Sequence, residues 1–281
     1  MAMVARRRQG LLHRAGILGG IVLLLAWSLG PIFWIAVTSL KTESEIYAVP
    51  PTFIPHAPTL ANYVTVLTGT RFPMFVRNSV IVALACTAVS VAIGTLAAYT
   101  ITRIRFLGRA VVARAIVAAY LLPPTLLFIP LFIILQRLGL IDSLPGLALA
   151  YLTFTVPFST WMLISYLRGV PTELDEAARI DGAGRLTLLL RVLVPVAAPG
   201  IAIVALFAFT QSWNEFLYAL VYVYSEGVRT LTSGLVGMMM GDVFIWGQLM
   251  AASVIAILPV LAIYLIAQRY LVEGLASGSG K

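Results

Sequence analysis

The chain has 281 residues, 60% of them hydrophobic and only 11% charged, with a mean hydropathy of +0.99. That balance excludes an ordinary soluble fold, whose surface needs more polar side chains than this chain holds. The net charge of +8 comes from basic residues scattered over separate segments without interleaved aromatic platforms, which argues against nucleic-acid binding.

Among the long gaps that Asp, Glu, Lys and Arg leave uncharged, six are apolar, at 15–40, 78–102, 115–136, 143–167, 192–214 and 243–268, each of 22 to 26 residues. A helix needs roughly 20 apolar residues to cross the hydrocarbon core, so the expected fold is all-α: a polytopic membrane protein with six transmembrane helices forming one domain over 1–281. With the N-terminus inside, 14 of the 19 Lys and Arg fall on the cytoplasmic side. The positive-inside rule then places both termini in the cytoplasm. Cys86 is the sole cysteine, so neither a disulfide framework nor a thiolate metal cluster is expected. His13 and His56 lie on opposite expected sides, which argues against a histidine metal site or catalytic dyad.

Residues 1–14 form a basic tail. The first span carries Gly30-Pro31, where a kink is expected; it is too long for a secretory signal and lacks a small-x-small cleavage site before Lys41. The outer segment 41–77 opens with Pro50, Pro51, Pro55 and Pro58, which predict a non-helical lid followed by a short helix from about Leu60. It serves either as a spacer or as a surface for an extracytoplasmic partner. Span two, from Asn78, is rich in small and hydroxyl residues, among them Ser79, Ala83, Ser90 and Gly94, and reads as a close helix interface. Span three contains Pro123-Pro124 and Pro130, which should break or bend it near the membrane centre and point to the transport path. In span four, Tyr151, Thr155 and Trp161 recur at helical spacing, as core packing or as a surface for a sugar.

Between spans four and five, residues 168–195 are the long polar interruption. Thr172 followed by Asp175 reads as a capping box, with Glu173, Asp175 and Glu176 at the positive end of a short helix. Gly182 or Gly184 is free to take positive φ and end it, and a second helix should start near Leu186. Leu174, Ala177, Ala178 and Asp181 share one face, nearly flat, with two methyl groups at its centre. Periodicity alone leaves two readings, an amphipathic connector or a docking surface. Span five ends in Gln211-Ser212-Trp213-Asn214-Glu215-Phe216, the most polar cluster near any span. In a helix over 198–222, Glu215 would face headgroups, another helix or a cavity. Residues 225–242 read as a short outer helix lying at the membrane surface, and span six is interrupted only by Pro259. The ending VEGLASGSGK is not a phosphate-binding loop: Leu275 stands five before Gly280 and a membrane helix precedes it.

Glu176-Ala177-Ala178, three residues, Gly182, nine residues, then Val192-Leu193-Val194-Pro195 resembles the EAA loop of ABC importer permeases, with valine where the pattern has isoleucine and leucine. PTLANY, RNS, LPP, WNEF and GLASG extend the resemblance over most of the chain, to the carbohydrate-uptake branch that includes the smaller maltose permease. The resemblance implies a cytoplasmic coupling helix that docks on a separate ATPase through Glu176, Ala177, Ala178, Asp181 and Gly182, with Pro195 closing the loop. The residues of spans four and five offer Tyr151, Thr155, Trp213, Asn214 and Glu215 for a translocation path, and the Trp213-Asn214-Glu215 run also resembles the equivalent stretch of carbohydrate permeases. The implied partners are a homologous second permease in a heterodimer, an ABC ATPase dimer, an extracytoplasmic solute-binding protein and membrane lipid, but no nucleic acid. No cofactor or metal is expected in this chain, ATP and Mg being used by the ATPase, and no enzyme activity of its own. The expected function is import of a sugar or oligosaccharide across the inner membrane. Alternatives are a permease for another small solute, such as a glycerol phosphodiester or polyol, or an ion-coupled secondary transporter.

Overall fold

A computed structural model describes residues 2–239 and 245–278, with the side chains of 16–239 and 245–268. Met240, Gly241, Asp242 and the first residues of span six, and the side chains of the basic tail and of the GLASG ending, lie outside the described residues.

The described chain is helical: α1 (Ala2–Ser39), α2 (Glu43–Ile46), α3 (Ala61–Thr68), α4 (Phe72–Arg103), α5 (Arg109–Leu121), α6 (Pro124–Arg137), α7 (Leu144–Arg168) and α8 (Glu173–Ile180) come first. Then follow α9 (Arg185–Val196), α10 (Ala198–Asn214), α11 (Leu217–Tyr222), α12 (Leu231–Met239) and α13 (Trp246–Gly278). Among the described residues four helices are long and apolar enough to cross a membrane, and counting each of two bent pairs as one span brings the number to six. α5 and α6 meet at 97°, a break forced by Pro123 and Pro124. Neither proline can donate a helical N–H, and Leu122 before them is held extended at ψ 124°. Pro130, by contrast, lies inside an unbroken α6.

Span five departs from its expected course. Residues 192–196 belong to α9, which is bent by 80° from α10, so the hydrophobic gap 192–214 is not one straight helix. Pro195 and Pro199 each leave a carbonyl four residues back without its donor, and Leu188–Leu193 takes a π-helical course just before the bend. The helix does not run through to 222 either, because it stops at Asn214 and restarts at Leu217.

The chain divides into two compact units, Met1–Arg71 with Met238–Ile255, and Phe72–Gly237 with Ala256–Lys281. In the first, α1 is unbroken through Pro31; its residues 16–34 are all exposed within the chain, while Thr38 and Ser39 at its end are buried. Residues 41–77 carry a four-residue helix, α2, ahead of their prolines, where no helix was expected, and then the expected short helix, which starts at Ala61. Lys41, 2% exposed, donates through Nζ to the Thr52 carbonyl and lies 4.6 Å over the Trp34 ring. Asn62 donates to the carbonyls of Ser39 and Lys41, both at 2.9 Å.

In the second unit α4 packs along α7, with α10 laid against both and α5 on α7. The small residues of span two do form the interface. A Cβ on Gly94 would lie 3.1 Å from that of Ser159, and one turn away Ser90 donates to Thr155 Oγ1 at 2.8 Å. The expected surface helix over 225–242 is a 3₁₀ turn at Glu226–Val228 followed by α12. Its Leu231, Ser233 and Gly234 are buried, because a glycine at 234 lets the Phe75 ring come where a Cβ would be only 2.3 Å away.

Candidate functional site

The polar loop folds as a short helix followed at once by a second, but two of its expected details are replaced. Thr172 has helical dihedrals, φ −76° and ψ −17°, and makes no side-chain cap bond. Asp175 turns inward instead, where its Oδ2 lies 3.0 Å from Nε of Arg103, with both side chains 7% exposed or less. The contact is a close charge pair without the alignment of a hydrogen bond, and Oδ1 is buried without a partner. A buried carboxylate needs a countercharge more than a helix start needs a cap, so the ion pair displaces the capping box. The same guanidinium donates through Nη2 to the Val170 carbonyl at 2.8 Å.

The flat face is likewise divided. Ala178, 8% exposed, packs inward in a cluster that includes Leu188, Leu189 and Leu193. Ala177 stays exposed with Glu173, Leu174, Glu176, Ile180 and Asp181. Because Asp175 is drawn to Arg103, α8 is rolled so that one methyl anchors the helix and the other faces outward. Ile180 is 86% exposed, an apolar tip on a surface that also exposes Glu173, Glu176, Asp181 and Arg179.

Of the two candidate glycines, Gly182 takes the positive φ, +81°, while Gly184 is extended at φ −67° and ψ 167°. The Ala183 amide bonds the Ala178 carbonyl at 2.9 Å and the Gly182 amide that of Arg179 at 3.0 Å, the two bonds of a Schellman end. α9 begins at Arg185, and Pro195 is exposed just before the bend.

The residues expected along a path lie in the same unit but play different parts. Thr155 is fully buried and its hydroxyl is engaged by Ser90 and by the Tyr151 carbonyl. Tyr151 is fully buried in an aromatic cluster with Phe154 and Tyr218, its hydroxyl without a partner. Trp213 stacks on Phe209 and donates Nε1 to the Ala256 carbonyl at 3.2 Å. Asn214 is exposed at the end of α10. Glu215 is not within a helix: it is extended, at ψ 130°, and its carboxylate accepts the Tyr218 and Ala219 amides at 3.0 and 3.1 Å. The unpaired N–H groups at the start of α11 thus hold the charge, which is why an acid is tolerated beside a span. α11 in turn fastens the broken span, with Tyr218 donating to the Pro124 carbonyl at 2.6 Å and Tyr222 to that of Phe128.

Outside the spans, Asp142 sits at φ +58° and accepts the amides of Tyr224 and Ser225 and the Ser225 hydroxyl. Burial pushes its carboxyl up, but the three bonds together outweigh that and hold it below the usual range. Neither this clasp nor Arg103 was singled out by sequence. Arg103 is one of many basic residues flanking spans, and nothing in its spacing separates a buried partner from a topological charge.

The chain matches the family described as binding-protein-dependent transport system inner membrane component over residues 90–277. The sulfoquinovosyl glycerol transport system permease protein of Agrobacterium fabrum is 39% identical over 92% of this chain and 91% of its own. The trehalose/maltose transport system permease protein of Thermococcus litoralis is 34% identical over 98% of this chain and 99% of its own. A chain from a bacterial ABC transporter involved in the import of the acidic polysaccharide alginate shares the fold, with a TM-score of 0.79 at 23% identity, covering 92% of this chain and 96% of that one.

Proposed function

Because the chain belongs to the inner-membrane components of binding-protein-dependent transport systems, we propose that it is the permease subunit of an ATP-driven importer whose cargo is a sugar or oligosaccharide. The observation that carries the reading is α8, an exposed acidic helix with an apolar tip, closed by a Schellman turn at Gly182 and anchored through Ala178 and Asp175. It presents Glu176, Ala177, Ile180 and Asp181 to a partner, as a coupling helix must. In this proposal the Arg-rich end faces the cytoplasm and a separate ATPase dimer, which uses ATP and Mg, grips α8. A second permease completes the pore, and a solute-binding protein delivers cargo to the opposite face. Sugar as cargo is supported by the relatives, named for sulfoquinovosyl glycerol, trehalose/maltose and diacetylchitobiose transport. ATP closes the ATPase dimer, α8 moves with it, and the packed spans carry that movement to the path. Tyr151, Thr155, Trp213, Asn214 and Glu215 belong to that path in this proposal: Thr155 ties α7 to Ser90 of α4, Trp213 ties α10 to the Ala256 carbonyl, Glu215 caps α11, and Asn214 is the exposed one of the five.

The test is purification of the tagged chain from its native membranes in mild detergent, with identification of the accompanying subunits. An ATPase, a second permease and a solute-binding protein are expected, and ligand screening of the binding protein then names the solute. A chain recovered alone, with Glu176→Ala leaving uptake unchanged, would overturn the proposal in favour of a secondary transporter.

A further inference from the structure

α4 is fastened at both ends. At one end its last residue, Arg103, holds α8 through Asp175 at 3.0 Å and the start of the coupling loop through the Val170 carbonyl at 2.8 Å. At the other, Asn78 Nδ2 donates to the carbonyls of Gly227 and Arg229 at 3.0 and 2.9 Å, and Ser79 Oγ accepts the Leu231 amide at 2.8 Å. Asn78 and Ser79 are buried, so these bonds do not trade freely with water. Phe75, a turn earlier, fills the space that Gly234 of α12 leaves open. The segment 226–234 is thereby gripped by the first two turns of α4.

Between the two clamps α4 is the stiffest of the spans. α1, α7 and α13 carry Pro31, Pro157 and Pro259 in their interiors, and the remaining two spans are broken at 97° and 80°. α4 has no proline beyond its first turn, so every interior turn keeps its backbone bonds. The 25 helical steps between Asn78 and Arg103 set the clamps about 37 Å apart.

We propose that α4 is a one-piece transmitter between the coupling helix α8 and a second outer segment, 226–234, distinct from 41–77, with Arg103 and Asn78 as the positioning residues at its ends. This rests on the reading of α8 as the ATPase-docking helix. A shift of α8 reaches segment 226–234 as a shift of the whole rod, because no hinge inside α4 can absorb it. By linkage, a partner that binds segment 226–234 biases α8 in the same way. This second outer segment therefore reports the docked solute-binding protein to the ATPase.

The experiment uses the complete transporter, purified through this chain and reconstituted in vesicles, with ATP hydrolysis measured in the absence and presence of its solute-binding protein. Arg103→Gln and Asn78→Ala are each expected to keep the ATPase subunit bound but to cut stimulation by the binding protein about ten-fold. The double variant is expected to lose no more than the worse single one, because a rod released at one end transmits nothing further when released at the other. Asp175→Asn frees the same end from the other side and stands in if Arg103→Gln does not fold. Three results overturn the transmitter: stimulation within about twofold of wild type in both singles, losses that multiply in the double variant, or loss of the ATPase subunit from Arg103→Gln. Ala177→Asp separates the two readings. If it releases the ATPase while the rod variants stimulate normally, only the transmitter fails; if it changes nothing, the docking reading itself fails.

Discussion

Replacing Gly182 by alanine isolates the turn that ends the docking helix. Gly182 sits at φ +81° and a Cβ there would meet nothing within 4 Å, so the change adds no clash, only the strain of a left-handed L-residue, about 1–2 kcal/mol. Gly184, two residues on, is also in open space but at φ −67°. Alanine there restricts the unfolded chain and stabilises by about 0.4–1 kcal/mol. That gain is common to both variants, which are identical in composition, so they should differ by the strain alone, about 1–2 kcal/mol. The assay is hydrogen–deuterium exchange of the Gly182 and Ala183 amides, which bond the carbonyls of Arg179 and Ala178. In Gly182→Ala their exchange should quicken by roughly 5- to 30-fold, and uptake should fall as the end of α8 frays. In Gly184→Ala protection should hold or rise, and Gly182→Asn should recover part of the loss because asparagine tolerates this backbone. Equal protection in the two alanine variants, or a looser turn in Gly184→Ala, would refute the assignment of the turn to Gly182.

The two alanines of α8 should behave in opposite ways. Ala177→Asp leaves thermal stability near wild type and abolishes co-purification of the ATPase, whereas Ala178→Leu overpacks the cluster around Leu188 and Leu189 and costs about 1–3 kcal/mol, visible as a lower melting temperature. Tyr218→Phe removes the bond to the Pro124 carbonyl and should cost about 0.6 kcal/mol by thermal denaturation in detergent; a loss several times larger would mean that the tyrosine does more than fasten the broken span. The Asp142 clasp should be acid-sensitive. A carboxyl held low in the folded state stabilises above its unfolded value and loses that contribution as pH falls through its folded one. The amide resonances of Tyr224 and Ser225 should therefore be steady at neutral pH and move below about pH 4, a movement absent in Asp142→Asn.

Much of the fold was legible because the membrane imposes strict rules on composition. Six apolar, uncharged stretches of membrane length gave six crossings, and Pro123-Pro124 announced the break in the third, since two consecutive residues without an N–H cannot continue a helix. Gly182 was one of two candidates because left-handed backbone restricts the choice of residue. What escaped the sequence depended on residues distant along the chain. The Thr172–Asp175 spacing satisfies a capping box, yet Asp175 found a guanidinium 72 positions earlier, and that partner also rolled α8 so that Ala178, rather than both alanines, became its buried side. Glu215 looked like a charge inside a helix, but the chain breaks beside it and its carboxylate caps the next one.

By itself the sequence determined the all-helical membrane class, the number of crossings, the place of the polar loop and the turn chemistry within it, all of which follow from local backbone rules and from the cost of polar groups in lipid. Only the tertiary structure decided which charge pairs with which, which face of α8 is presented and how span five is divided. Those outcomes are set by long-range competition among partners for buried charges and unpaired amides, and no window along the chain contains both competitors.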